Sequence, residues 1–193
     1  MSLISSNQPS YNFDEDIPRV TPAPSIRPNI PNVSYDPPQT FEPTTRIFSK
    51  AAESYSLTAR NGNVVLAPAN PRDHKQHWIK DMVYGKDLKD EEGLPTFALV
   101  NKGTGQAMKH PLGPGKPVRL VPFNPDIPDE SILWSESYDL GDTFRCIRMA
   151  NNICLSLGAF NGDDEHGGVQ DGTPIVLYEG CRGKNQRWRI ASY

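Results

Sequence analysis

The sequence predicts an all-β body made of three repeats that close into a pseudo-threefold barrel. Three observations predict it. Trp78, Trp134 and Trp188 lie 56 and 54 residues apart. A short apolar run precedes each of them. From Thr45 onward, apolar residues come in brief alternating stretches separated by Gly, Asn, Asp and Pro, the pattern of many short strands. No segment of helical period longer than about two turns interrupts them, and Lys86 to Gly93 is charged and reads as a loop.

Taken in order, the units begin alike, at Thr45-Arg46-Ile47-Phe48, Phe97-Ala98-Leu99-Val100 and Phe144-Arg145-Cys146-Ile147. Their later runs match more closely. Val64-Val65-Leu66-Ala67-Pro68-Ala69-Asn70-Pro71 and Val118-Arg119-Leu120-Val121-Pro122-Phe123-Asn124-Pro125 share Val, Leu, Pro, Asn and Pro at one spacing. The third run, Ile175-Val176-Leu177-Tyr178, keeps the alternation and drops the Asn-Pro turn. One unit of roughly 50 residues cannot bury its own apolar face, so three must close around a shared core. Residues 45–193 form a body large enough to bury on the order of 68–70% of its unfolded surface.

Residues 1–43 differ in kind. They hold nine of the nineteen prolines. Proline removes amide donors and fixes φ, so neither helix nor sheet propagates there. A disordered or polyproline-like extension is expected, available as a contact for another protein. Asn32-Val33-Ser34 is formally a glycosylation acceptor, expected to stay unmodified without an export signal.

The totals narrow the function. A net charge of -3 lacks the dense basic surface that nucleic acid requires. No apolar run is long enough for a membrane-spanning helix, and Met1 to Ser6 has neither the basic region nor the apolar core of a secretory signal. A soluble intracellular protein is expected. In that setting Cys146, Cys154 and Cys181 should be reduced thiols, with a Cys154–Cys181 bond as the alternative. His74, His77, His110 and His166 have no zinc-type spacing, and neither a Gly-x-Ser-x-Gly nor a complete P-loop occurs; Gly113-Pro114-Gly115-Lys116 is only a fragment of one. A binding protein without cofactor or metal, and not an enzyme, is the expectation.

Strand alternation identifies candidate ligand-binding groups. If Ile175 and Leu177 face the core, Tyr178 faces outward at the strand end. The matching positions are Ala67 and Val121, so only the third unit offers a ring. Asn185 lies at the turn before Trp188 and can direct an amide toward the same place. Trp188 is expected in the core, and Gln186 is expected to bond backbone more readily than ligand.

Gln76-His77-Trp78 and Gln186-Arg187-Trp188 resemble the Gln-x-Trp repeats of ricin-B-type β-trefoil lectins; Ile132-Leu133-Trp134 has lost its Gln. The body is similar, more closely, to the Euonymus-lectin family of plants. The resemblance rests on Phe97 to Lys102, Thr104-Gly105-Gln106, Leu140-Gly141-Asp142, Asn151-Asn152-Ile153, His166 to Val169, Asp171-Gly172-Thr173 and Asn185 to Trp188. It implies a β-trefoil, carbohydrate binding in nucleus and cytoplasm, and a stress-responsive role. It also implies mannose- or galactose-containing glycans or glycoproteins as partners, one shallow site in the third unit, an aromatic stacked on the sugar at Tyr178, and Asn185 as a sugar ligand. An Asp is expected beside them, but Gly158 stands in its place, or Ser156 in the other alignment. Asp163 or Asp164, in the long loop of the third unit, is the candidate substitute. The alternative is a protein-interaction trefoil that has lost sugar binding, with the proline-rich segment as its contact.

Overall fold

A computed structural model describes residues 43–193; the proline-rich extension and its expected disorder lie outside the described residues. The body carries twelve strands. The first unit contributes β1 (Thr45–Ser49), β2 (Tyr55–Arg60), β3 (Asn63–Pro68) and β4 (Trp78–Asp81). The second contributes β5 (Thr96–Asn101), β6 (Gln106–Lys109), β7 (Arg119–Pro122) and β8 (Leu133–Glu136). The third contributes β9 (Ile147–Met149), β10 (Asn152–Ala159), β11 (Thr173–Glu179) and β12 (Trp188–Ser192). Short 3-10 turns at His74–Gln76, Glu130–Ile132 and Lys184–Gln186 lead into the three tryptophan strands. This is a β-trefoil, as the repeats predict.

Six strands form the barrel. β1 pairs with β12 and β4, β5 with β4 and β8, and β9 with β8, all antiparallel. Reciprocal bonds of 2.8 and 2.9 Å between the backbones of Arg145 and Trp188 close the ring. Closure leaves no open sheet edge in the barrel. The remaining strands form the hairpins β2–β3, β6–β7 and β10–β11. The hairpins touch one another through Asn63 opposite Arg119 and through Thr173 and Pro174 opposite Leu66 and Val65.

The core is built to the repeat. Trp78, Trp134 and Trp188 are fully buried, and each indole N–H donates to a backbone carbonyl at 2.9 Å, that of Leu57, Met108 and Leu157 respectively. The acceptor always belongs to the first strand of the same unit's hairpin, so each tryptophan ties barrel to hairpin. Leu66, Ile175 and Leu177 are buried in the same cluster. The predicted alternation of β11 therefore holds: Ile175 and Leu177 reach the core, and Tyr178 is half-buried on the other face.

The Lys86–Gly93 loop is anchored. Asp90 accepts from the amides of Glu92 and Leu94 and pairs with Arg148 of β9 at 2.7 Å, while Glu92 meets the same guanidinium at 2.9 Å. The link between units one and two is thereby fastened to unit three.

The cysteines depart from expectation. Cys146 and Cys181 form a disulfide, with Cα atoms 6.2 Å apart, and Cys154 is free and exposed. Cys154 lies on the strand pair, where its carbonyl accepts from Gly180 N at 2.7 Å and its thiol faces solvent. The turn after β11 carries Cys181 away from it, toward the buried Cys146 just before β9. Compartment reasoning predicts reduced thiols, and sequence proximity offers Cys154; the path of the turn selects Cys146.

Two measurements test this frame. Trp188→Ala should lower unfolding stability by about 3–5 kcal/mol in urea titration, since it leaves a cavity and an unpaired Leu157 carbonyl. Cys146→Ser should cost about 2–4 kcal/mol, matched by adding reductant to the wild type, whereas Cys154→Ser should leave the midpoint unchanged.

Candidate functional site

The candidate site lies where β10, β11 and the turn before Trp188 meet. In the antiparallel β10–β11 pair, Ser156 faces Tyr178 and Gly158 faces Val176. The Tyr178 ring leans diagonally from its own partner across Gly158. A Cβ at Gly158 would lie 2.4 Å from Tyr178 Cδ2 and 2.8 Å from Cε2. The Tyr178 hydroxyl then accepts from the amide of Asn161 at 3.3 Å, at the end of β10. The ring is thus held at both ends and lies along the strand. Gly158 is the bed of the ring: an acid cannot be placed there with Tyr178 as it is, because its Cβ alone overlaps the aromatic carbons. The counterparts of Gly158, set by the tryptophan acceptors, are Thr58 and Lys109. Ser156, the other place considered for an acid, is buried and donates its hydroxyl to Gly180 O.

Gln186 turns its amide to the backbone of the turn. Its Oε1 accepts from the amides of Arg182 and Gly183, both at 3.0 Å, and its Nε2 donates to Gly180 O at 3.1 Å. Gln76 does the same in unit one, accepting from Asn70 N at 2.8 Å and donating to Pro68 O at 3.0 Å. Gln186 shapes the site by bonding backbone, as expected from the sequence.

Asn185 is only 5% exposed. Its Nδ2 donates to Ala159 O at 2.9 Å. Its Oδ1 lies over Gly183, where a Cβ would come within 2.2 Å of it. The carbonyl end of the amide is therefore the part that remains for a ligand, and Gly183 leaves it room. Asp163 opens the next turn. Its carboxylate accepts from His166 N at 3.0 Å and meets His166 Nδ1 at 2.6 Å. The His166 contact holds the carboxyl below the usual carboxylate range. Both contacts with His166 are made by Oδ1, which caps the turn that Asp163 opens.

Sequence reading missed three contributors. The amide of Asn161 fixes the Tyr178 hydroxyl, but backbone groups leave no mark in composition. Gly183 makes room for Asn185, and the Gly immediately before Lys184-Asn185-Gln186 was the available signal. The β6–β7 connection is the third. Gly115 N donates to Leu177 O at 2.8 Å and Leu177 N donates to Lys116 O at 3.3 Å, so this loop of unit two flanks β11 of unit three. It contains the fragment of a P-loop noted above, here used as a strand edge. Among the described residues no cluster of His, Cys, Asp and Glu suits a metal ion.

Comparison with known proteins follows the same lines. The chain is 62% identical over 157 residues to the ricin B-like lectin R40G3 of Oryza sativa subsp. japonica, spanning 81% of this chain and 76% of that protein. It is 53% identical over 147 residues to the ricin B-like lectin EULS3 of Arabidopsis thaliana, spanning 76% of this chain but 46% of that one. No protein-family model matches. Among solved structures it superposes on the designed threefold-symmetric protein ThreeFoil with a TM-score of 0.60 at 18% identity, covering 78% of this chain and 99% of that one. It superposes on the Macrolepiota procera ricin B-like lectin, solved with lactose, with a TM-score of 0.55 at 18% identity, covering 77% and 94%. At such identities the structures speak to the fold.

Gly158→Ala should cost about 1–3 kcal/mol, because the added methyl drives the Tyr178 ring off its bed. Thermal unfolding against Tyr178→Ala/Gly158→Ala checks the cause: with the ring removed, the penalty of the added methyl should disappear.

Proposed function

Because the chain belongs to the ricin B-like lectin family, in its Euonymus-type branch, we propose that it is a carbohydrate-binding protein. Its ligand would be mannose- or galactose-containing glycans, held at one shallow site in the third unit. The observation that carries this reading is the Tyr178 ring, seated on Gly158 beside Asn185. A pyranose presents a face of C–H groups and a rim of hydroxyls. The first suits the exposed side of the ring, and the second suits a fixed amide carbonyl. Asn185 Oδ1 would accept from a hydroxyl, and the anchored Tyr178 would stack. Binding is reversible recognition with no bond made or broken.

The site lacks the carboxylate of the family pattern. One charge-assisted hydrogen bond fewer costs roughly 1.5–3 kcal/mol, so affinity should fall in the millimolar-to-micromolar range. The family resemblance also supports a nuclear and cytoplasmic protein with a role in stress. The second reading, a protein-interaction trefoil, gains from the same missing acid.

A glycan array probed with the wild type and with Tyr178→Ala tests the first reading. Retention of mannose or galactose glycans by the wild type, lost at least tenfold in the variant, is the expected result. Equal retention by both would move the site elsewhere. No retention of any glycan would remove the sugar reading.

A further inference from the structure

We infer that the second unit carries a separate docking site for a short apolar, basic peptide segment of a protein partner. The starting observation is what unit two has done with the positions that build the site of unit three. Val121 stands where Tyr178 stands, and Ile132 stands where Gln186 stands. A polar surface has become an apolar one. Ile132 is buried in a second apolar cluster with Ala98, Val100 and Ala107, outside the main core, and Tyr84, Val121 and Phe123 pack on it. The turn before the tryptophan is also longer. It runs from Pro122 to Asp129; Pro125 matches Pro71 of unit one, whereas Ile127 and Pro128 have no apolar counterpart there.

This turn and the β4–β5 loop enclose a cleft of about 390 Å³, lined among others by Val83, Tyr84, Leu88, Pro125 and Pro128. A smaller hollow of about 150 Å³ adjoins it, shares Tyr84 and Asp129 with it, and is lined by Ile127 and Ile132. Val83 is 74% exposed, Leu88 44% and Ile127 60%. Three of the nine exposed large apolar side chains of the described residues thus border one concavity. An exposed apolar grouping with polar edges marks an interaction surface.

The cleft is built rigidly. Tyr84 is its keystone: its hydroxyl donates to Ile127 O at 2.8 Å and accepts from Asp129 N at 2.7 Å. Asp81 caps the amides of Val83 and Tyr84, and Thr96 holds the carbonyls of Gly85 and Leu88. The Asp90–Arg148 pair fixes the far end of the loop. A preformed cleft spares the ligand an ordering cost.

Charge selects the occupant. Four carboxylates, those of Asp81, Asp87, Asp129 and Glu130, line the cleft with one lysine, Lys86. Asp81 is spent on amides and Asp129 lies 3.7 Å from Lys109. Asp87 and Glu130 have no ion-pair partner among the described residues. An extended segment with leucine- or proline-type side chains for the cleft and an arginine or lysine for its rim satisfies both features. A neutral sugar would leave the apolar walls and the carboxylates unmatched. The inference does not rest on the sugar reading, since the two surfaces belong to different units.

Short fluorescein-labelled peptides in which leucine and proline flank an arginine provide the probe, with anisotropy measured on the full chain. Saturable binding is expected, weakened at least tenfold by Leu88→Asp and by Glu130→Lys, lost when the peptide arginine is changed to glutamate, and unaffected by Tyr178→Ala. Leu88 and Glu130 are exposed, so circular dichroism should show both variants folded. Failure of every such peptide to bind at millimolar concentration overturns the inference. So does binding that ignores both substitutions, or capture of anionic vesicles or oligosaccharides, rather than peptides, with the same sensitivity to them.

Discussion

Everything in this fold depends on one repeated interaction, the buried tryptophan N–H that donates to a hairpin carbonyl. Leu57 O, Met108 O and Leu157 O are the three acceptors. A large ring is needed to fill the centre of a barrel of short strands, and a buried indole needs an acceptor. Placing the acceptor on the hairpin satisfies both needs. It also sets which hairpin residue sits beside the end of the barrel strand, and hence where each unit presents its outer face. Thr58, Lys109 and Gly158 are the consequence: one residue after each acceptor, three different side chains, and three different surfaces.

The third unit shows how little changes to make the candidate site. Gln76 and Gln186 bind their turns in the same way. The scaffold of the turn is thus common to unit one and to the unit with the candidate site. What unit three adds is a glycine wide enough to lay a tyrosine on, and a second glycine, Gly183, that clears space for Asn185. Unit two keeps the tryptophan and gives up the rest. Its turn is two residues longer than that of unit one between the shared Asn-Pro and the tryptophan, and it carries Ile127 and Pro128. Retaining the core while exchanging the surface is what a threefold fold allows, because each outer face rests on its own hairpin.

How legible this was differs by level. Strand alternation assigned Ile175 and Leu177 to the core and Tyr178 to the outside, since the side chains of a strand must alternate. The three tryptophans revealed the repeat because a shared centre demands the same large group from each unit. Gly158 was read as a missing carboxylate, and the structure makes it the seat of an aromatic ring. The sequence shows that the carboxylate is missing but not that a ring takes its place, because it records which residue is present and not which neighbour leans over it. Nor does it record that Asp163 Oδ1 binds His166 of its own turn.

The sequence by itself determined the number of units, the class of strand, the core positions and the family, because these follow from periodicity and from residues that act alone. Tertiary structure decided the rest. It paired Cys181 with Cys146, since a turn can carry a thiol away from its nearest neighbour in the strand pair. It laid Tyr178 on Gly158, spent Gln186 on backbone, and brought the Gly115–Lys116 edge against β11. It also joined the β4–β5 loop to the Pro122–Asp129 turn through one tyrosine hydroxyl. Each of these depends on which segments meet in space, and barrel closure alone settles that.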